Sequence, residues 1–290
     1  MAVVTEFPRT APDRLWQLRR FARRNPTIVA GAGLLAFMAL IALAAGVIAG
    51  DPQFLNPSER LHGPSALHWF GTDHLGRDVF ARTVFGARIS LVVGLAVAVL
   101  AITFGLAIGL IAGYYRRVDA PVMRLMDGLM AIPSILLAIA LVSLNKASVG
   151  IVIVAISIPE IPRVVRLVRS VVLSTREQPF IEAAIGGGSR HHKIILRHIL
   201  PSTIAPLVVQ ATYVMASAIL TEAGLSFLGA GVPPEIPTWG NMIAGSRLFL
   251  ASAPWTIFFP GTCLALVVLA VNLMGDGLRD RLDPRLARRM

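Results

Sequence analysis

The chain has 290 residues, of which 55% are hydrophobic and only 15% are charged, and its mean hydropathy is +0.71. This composition argues against a water-soluble domain and is typical of an integral membrane protein. The formal net charge is +11, but the basic residues stand in short runs between apolar segments. Such runs orient a membrane protein, so no nucleic-acid partner is expected. A single cysteine, Cys263, argues against a disulfide framework or a cysteine-based metal site.

Long apolar segments recur along the chain and predict an all-α, polytopic membrane protein with six transmembrane helices in one domain. The third segment is preceded by Asp127 and interrupted by Pro133, which predicts a kinked helix that begins near Pro121. The fourth is the weakest, because prolines and charged residues interrupt it. The predicted crossings are residues 28–50, 89–115, 128–145, 148 to about 169, 204–228 and 248–275.

An even number of crossings places both termini on the same side of the membrane. All but six of the 27 Lys and Arg residues lie on the side of the termini. They are found in the two terminal segments, in the connection after the second crossing and in the connection between the fourth and fifth crossings. The positive-inside rule therefore predicts cytoplasmic termini. The resulting division is a cytoplasmic segment 1–27, a membrane domain 28–275 with extracytoplasmic segments 51–88 and 229–254, and a cytoplasmic tail 276–290.

The segment 174–201 is too polar to cross a membrane, yet it carries signals of ordered structure. Pro179 suits the first turn of a helix, and three consecutive glycines that finish at Gly188 would end it. Ser189 is then placed to cap a second helix, which Pro201 would stop. We expect two short helices in an L at the membrane surface, able to transmit force from a soluble partner to the fourth and fifth crossings.

Within this segment the residues resemble the EAA signature of importer-type ABC permeases. His198 stands where the general pattern has Ile, and the resulting His-Ile-Leu-Pro run is similar to the dipeptide and oligopeptide branch. Four other segments, 70–91, 113–140, 219–242 and 275–286, resemble the C-type permease subunit of that branch. The residues that match the signature are Glu182, Ala183, Ala184, Gly188, Leu200 and Pro201.

The resemblance implies a type I ABC importer permease fold in a bacterial inner membrane. It also implies a second homologous permease subunit, two cytoplasmic ATP-binding subunits, an extracytoplasmic solute-binding protein and a peptide substrate. The chain itself would be a non-catalytic half of the translocation pathway with no cofactor, since ATP would be bound by the partners. The sequence agrees, because a P-loop needs Gly-Lys-Ser/Thr and the only lysines, Lys146 and Lys193, follow Asn145 and His192.

Two groups of site residues are predicted. The first group lies in the segment 174–201, and the resemblance implies that it couples the permease to the ATPase. The second group is Asp127 and Glu222, which lie in or near apolar segments and could either line the pathway or pair with a structural neighbour. No metal site is expected, because His191, His192 and His198 have no carboxylate beside them. The coupling group is Glu182, Ala183, Ala184, Gly188, His198, Leu200 and Pro201.

Other functions remain open at this point. Within the same family the solute could be nickel or glutathione instead of a dipeptide or oligopeptide. An ATP-independent secondary transporter is a less favoured alternative, because charges within the apolar segments are few. An intramembrane enzyme is a further alternative, but the apolar segments lack a convincing Ser/His or paired-Asp arrangement.

Overall fold

The computed structural model describes residues 20–145 and 147–282, and its regular elements there are helices, which confirms the predicted all-α class. Most of the predicted N-terminal segment 1–27 and of the predicted tail 276–290 lies outside these ranges. The helices are α1 (Pro26–Ile48), α2 (Val79–Tyr114), α3 (Arg116–Ala131), α4 (Ser134–Ser143), α5 (Val149–Arg176), α6 (Pro179–Gly186), α7 (His191–Ile194), α8 (Leu200–Phe227), α9 (Trp239–Ser246) and α10 (Trp255–Leu282).

Within residues 20–145 and 147–282, four helical stretches are long and apolar enough to cross a membrane, namely α1, α2, α10 and the continuous stretch that joins α7 to α8. Helices α3 and α4 make a fifth candidate if they are taken as one span, although they meet at an angle of 85°. The remaining predicted crossing coincides with α5. Its 28 residues make it about 42 Å long, enough to span a bilayer, but Glu160, Arg163 and Arg166 make it less apolar than the others.

Three predicted boundaries or breaks can be compared with the helices. The predicted kink at Pro133 is confirmed, because this residue is extended and separates α3 from α4. Helix α2 begins at Val79, ten residues before the predicted crossing 89–115, and the side chain of Asp78 accepts a hydrogen bond from the amide of Ala81 there at 2.7 Å. The last helix begins at Trp255, not at 248, because the chain before it folds into short turns.

Close packing of α2 on α5 forms the centre of the bundle. Three glycines of α2, spaced four residues apart, face three valines of α5 with the same spacing. A Cβ atom added to any of these glycines would lie between 2.5 and 2.7 Å from the Cβ of the facing valine. Small residues therefore let the two backbones approach closely, as is common between membrane helices. This glycine–valine ladder consists of Gly105 with Val164, Gly109 with Val168 and Gly113 with Val172.

One end of the bundle is covered by residues 51–78 and 229–254, which we call the cap. The indole N–H of Trp255 donates to the carbonyl of Thr72 at 3.2 Å, which ties the first cap segment to α10. The guanidinium of Arg82, buried at the start of α2, donates to the carbonyls of Pro52 at 3.3 Å and Pro234 at 3.5 Å. Arg82 thus joins both cap segments to the bundle.

Within the cap, His68 lies between two carboxylates. Its Nδ1 is 2.7 Å from an oxygen of Asp78, and its Nε2 is 3.0 Å from an oxygen of Glu59. The hydrogen bond to Asp78 is the main cause that raises the pKa of His68 above its usual value; burial opposes this effect, and Glu59 adds to it. The cap therefore contains an ion pair that depends on a protonated histidine.

Candidate functional site

The segment 174–201, which carries the EAA signature, lies at the end of the bundle opposite the cap. Its first helix, α6, has Pro179 at its start and Glu182 exposed in its first turn. The helix ends in a Schellman motif, in which the amide of Ser189 donates to Ala184 at 3.0 Å and that of Gly188 donates to Ile185 at 2.9 Å. Gly188 has a φ of +75°, a conformation that strains residues with a Cβ. This positive φ explains why the signature has a glycine at position 188.

The second helix of the segment differs from the prediction in two ways. Its N-cap is Arg190, so the predicted cap Ser189 is wrong. Pro201 also does not stop the helix, because residues Ile195–Ile199 form a π-helical turn that leads directly into α8. In that turn the amide of Leu200 donates to the carbonyl of Ile195, five residues earlier. The wider turn gives room for a proline that would clash with a carbonyl in a regular α-helix.

Three isoleucines anchor the segment in the bundle. Ile181 of α6, Ile194 of α7 and Ile199 of the π turn are all 0% exposed. They belong to the same apolar cluster as Val168 and Val172, which are also valines of the ladder. Burial of one such side chain contributes roughly 1.5 to 3 kcal/mol. The short helices are therefore part of the core and not a loosely attached loop.

Polar contacts connect the segment to the end of α2. The hydroxyl of Tyr114 is 2.7 Å from Nδ1 of His191 at the start of α7. The guanidinium of Arg176, at the end of α5, donates to the carbonyl of Tyr114 at 3.0 Å. The segment is thus bonded to the end of α2 and attached to α5, and it is continuous with α8.

The opposite surface of the segment is uncovered. Phe180 is 50% exposed, Ile185 is 51% exposed and Leu196 is 60% exposed, which is typical of surfaces that bind another protein. Of the predicted coupling residues, Glu182, Ala183, Gly188 and Pro201 are exposed, while Ala184, His198 and Leu200 are partly buried.

The structure places Asp127 in an ion pair between helices. One of its carboxylate oxygens is 2.6 Å from the guanidinium of Arg166, and both side chains are about half exposed. The carboxylate of Asp119 pairs with Arg169 beside it, at 2.6 Å between Oδ2 and Nη2. Both pairs hold α3 against α5. Asp127 therefore has a structural partner in Arg166.

The structure buries Glu222 completely within α8, near the cap. The hydroxyl of Ser226 donates to its Oε1 at 2.9 Å. With an exposed fraction of 0%, the carboxyl group is not on an open surface of this chain. Glu222 and Asp127 are therefore not brought together in one site.

A charged cluster in α5 did not enter the predicted site. Nη1 of Arg163 donates to both carboxylate oxygens of Glu160, at 3.0 and 3.3 Å, and the hydroxyl of Ser217 in α8 donates to Oε1 at 3.2 Å. The sequence signal was the pair of opposite charges one helical turn apart in an apolar segment. Without the fold, its contact with α8 could not be predicted.

Residues 101–288 match the protein family described as the binding-protein-dependent transport system inner membrane component. The chain belongs to this family of ABC permeases. Membership confirms the resemblance drawn from the EAA signature and identifies a multi-pass membrane permease of a kind that is typically non-catalytic. It also implies an ATPase and a solute-binding protein as partners.

This permease has relatives over nearly its whole length. It is 64% identical to the probable peptide ABC transporter permease y4tQ of Sinorhizobium fredii, with 93% of each chain covered. It is 48% identical to the dipeptide transport permease DppC of Alkalihalophilus pseudofirmus, covering 91% of this chain and 88% of that one. The glutathione transport permease GsiD of Pectobacterium atrosepticum is 40% identical over 96% of this permease and 92% of its own length.

A solved structure supports the fold. A chain of the MetNI methionine ABC transporter, from a study of its inward facing conformations, superposes with a TM-score of 0.57 and covers 70% of this permease and 96% of that chain. The two sequences are only 17% identical, so the likeness concerns the fold alone. It agrees with the predicted type I importer permease fold.

Proposed function

We propose that this permease is one half of the translocation pathway of an ATP-driven importer of dipeptides and oligopeptides. The 64% identity to a probable peptide permease over 93% of both chains is the main support for the substrate class. A glutathione permease is also similar, at 40% identity, so a tripeptide with an unusual linkage belongs among the substrates to be tested.

The proposed complex contains a second, homologous permease subunit, two ATP-binding subunits and an extracytoplasmic solute-binding protein. ATP is bound by the partners, and this permease needs no cofactor of its own. The distribution of Lys and Arg supports cytoplasmic termini. With that orientation the EAA segment faces the cytoplasm and the cap faces the solute-binding protein.

Coupling is proposed to act through the EAA segment. An ATPase subunit would dock on its uncovered surface, where Glu182, Ala183 and Phe180 are exposed. The buried isoleucines attach this surface to the core, and the π turn continues into α8 without an intervening loop. Closure of the ATPases would therefore move α5 and α8 together and change which side of the membrane the pathway opens to.

Reconstituted uptake tests this proposal. The full complex is placed in proteoliposomes with the solute-binding protein, and uptake of labelled dipeptides and of glutathione is measured with and without ATP. We expect peptide uptake that requires both ATP and the ATPase subunits. A Glu182→Ala variant should lower uptake relative to the ATP hydrolysed, since its site lies on the docking surface. Uptake that persists without ATP would instead establish a secondary transporter.

A further inference from the structure

Arg163 lies at the middle of α5. Measured along the 28 residues of the helix, it is about 20 Å from either end. Its side chain is 39% exposed, whereas that of Glu160 is 5% exposed. A charged side chain at this depth is costly against lipid and usually faces a protein partner or a water-filled cavity.

The two residues of the pair differ in how many of their polar groups already make hydrogen bonds. Glu160 is fixed from two sides, by Arg163 and by the hydroxyl of Ser217 in α8. Arg163 uses only Nη1 in the contacts it makes with described residues. A guanidinium has five N–H donors in a planar fork that suits a carboxylate, so most of its donors remain for a ligand.

The surface around Arg163 is polar on both helices, and we call it the polar face. On α5 the uncovered residues continue from Arg163 towards the EAA segment at helical spacing. On α8 a matching set of partly or fully exposed residues extends past Ser217, and Leu167 and Gln210 line one cavity of about 640 Å³ beside it. The polar face consists of Arg163, Arg166, Ser170 and Ser174 on α5 and Gln210, Tyr213, Ser217 and Thr221 on α8.

We propose that Glu160 and Arg163 form a charge-recognising contact within the translocation pathway, where Arg163 binds the carboxylate of a passing peptide. This inference rests on the proposed function as a peptide importer. A peptide at neutral pH carries a carboxylate and an ammonium group, which are the complements of the exposed guanidinium and the carboxylate behind it. Because the pair has no net charge, it accepts a zwitterion without strongly favouring anionic or cationic cargo.

Removing either charge should shift selectivity in opposite directions. Arg163→Gln leaves Glu160 uncompensated and should favour a cationic dipeptide, whereas Glu160→Gln leaves Arg163 alone and should favour an anionic one. One unit charge at about 10 Å in a medium of effective dielectric constant about 20 changes a binding constant on the order of tenfold. A merely structural role would lower the transport of both dipeptides alike.

The experiment measures ATP-driven uptake of Ala-Glu and Ala-Lys by the whole complex in proteoliposomes and reports the ratio of the two rates. Because the two peptides change by about tenfold each in opposite directions, we expect this ratio to fall on the order of a hundredfold in Arg163→Gln and to rise on the order of a hundredfold in Glu160→Gln. It should stay near the wild-type value in Arg163→Lys, which keeps the charge. Arg117→Gln, which removes an exposed charge from α3, serves as the matched control.

The outcomes separate the two proposals. An unchanged ratio in Arg163→Gln, or equal losses for both peptides in both variants, would overturn the charge-recognising contact and leave the importer intact. If Glu160→Gln does not assemble, the comparison of Arg163→Gln with Arg163→Lys still decides. Should the wild-type complex take up neither peptide with ATP, the proposed function would fail and this inference with it.

Discussion

The glycine–valine ladder leads to a prediction about the stability of the bundle. In a Gly105→Ala variant the new Cβ would lie 2.5 Å from both Cβ and Cγ1 of Val164, while the nearest backbone atom, the nitrogen of Val165, would be 3.4 Å away. Carbon atoms normally meet at about 3.5 to 4.0 Å, so the two helices would have to separate locally by about 1 to 1.5 Å. Overpacking of this kind costs about 1 to 3 kcal/mol.

The assay is unfolding of the purified permease in detergent micelles, followed by circular dichroism. Gly105→Ala should lower the free energy of unfolding by about 1 to 3 kcal/mol. Gly46→Ala is the matched control, because an added Cβ there has no atom within 4 Å, and it should not destabilise. Combining Gly105→Ala with Val164→Gly should cost less than the sum of the single variants, by about 0.5 to 3 kcal/mol. Strict additivity, or a Gly105→Ala variant as stable as wild type, would refute the proposed contact.

Three further predictions concern the EAA segment, the cap and the surface ion pair. Gly188→Ala should reduce the peptide taken up per ATP hydrolysed, because Ala is strained at a φ of +75°. Gly186→Ala is the control and should not reduce it, because Gly186 has no positive φ and no atom near the added Cβ. Equal ratios of uptake to hydrolysis in the two variants would contradict this prediction. Because the pKa of His68 is raised in the folded state, its contribution to cap stability should be complete below a pH of about 6.5 and should be lost as the pH rises through the raised pKa. Hydrogen exchange of the cap measures this pH dependence, and a His68→Gln variant should lack it. Asp127→Asn should cost less than about 1 kcal/mol in the same unfolding assay, since its pair with Arg166 is solvent-screened, and a loss of several kcal/mol would show a larger role.

Apolar runs and proline positions were enough to predict much of the fold. The helix start at Pro179 and the break at Pro133 follow from local backbone restrictions, and the structure confirms both. The early start of α2 at Val79 could not be predicted in the same way, because Arg82 and Arg88 interrupt the apolar run there, and Arg82 is buried by contacts with the distant cap segments. Boundaries that depend on distant segments are not visible in hydropathy.

In the candidate site, too, features set by local sequence were predictable and features set by distant contacts were not. The order of the EAA residues was sufficient to identify the family and to predict a break near Gly188, where the helix requires a positive φ. The π turn before Pro201 was missed, because it depends on a shift in hydrogen bonding and has no distinct composition. The contact between Glu160 and Ser217 joins helices far apart in the chain, so no local pattern could reveal it.

The π turn also constrains the length of the chain. His191–Phe227 is a single helical stretch. The number of residues in it therefore determines how the side chains of α7 are rotated about the helix axis relative to those of α8. An insertion of one residue there would turn the side chains on either side by about 100° about the helix axis. Ile194 and Ile199 would then no longer point into the core together with the buried face of α8. The number of residues between α7 and the buried face of α8 thus fixes the rotation of one about the other, and this length should tolerate substitution far better than insertion or deletion.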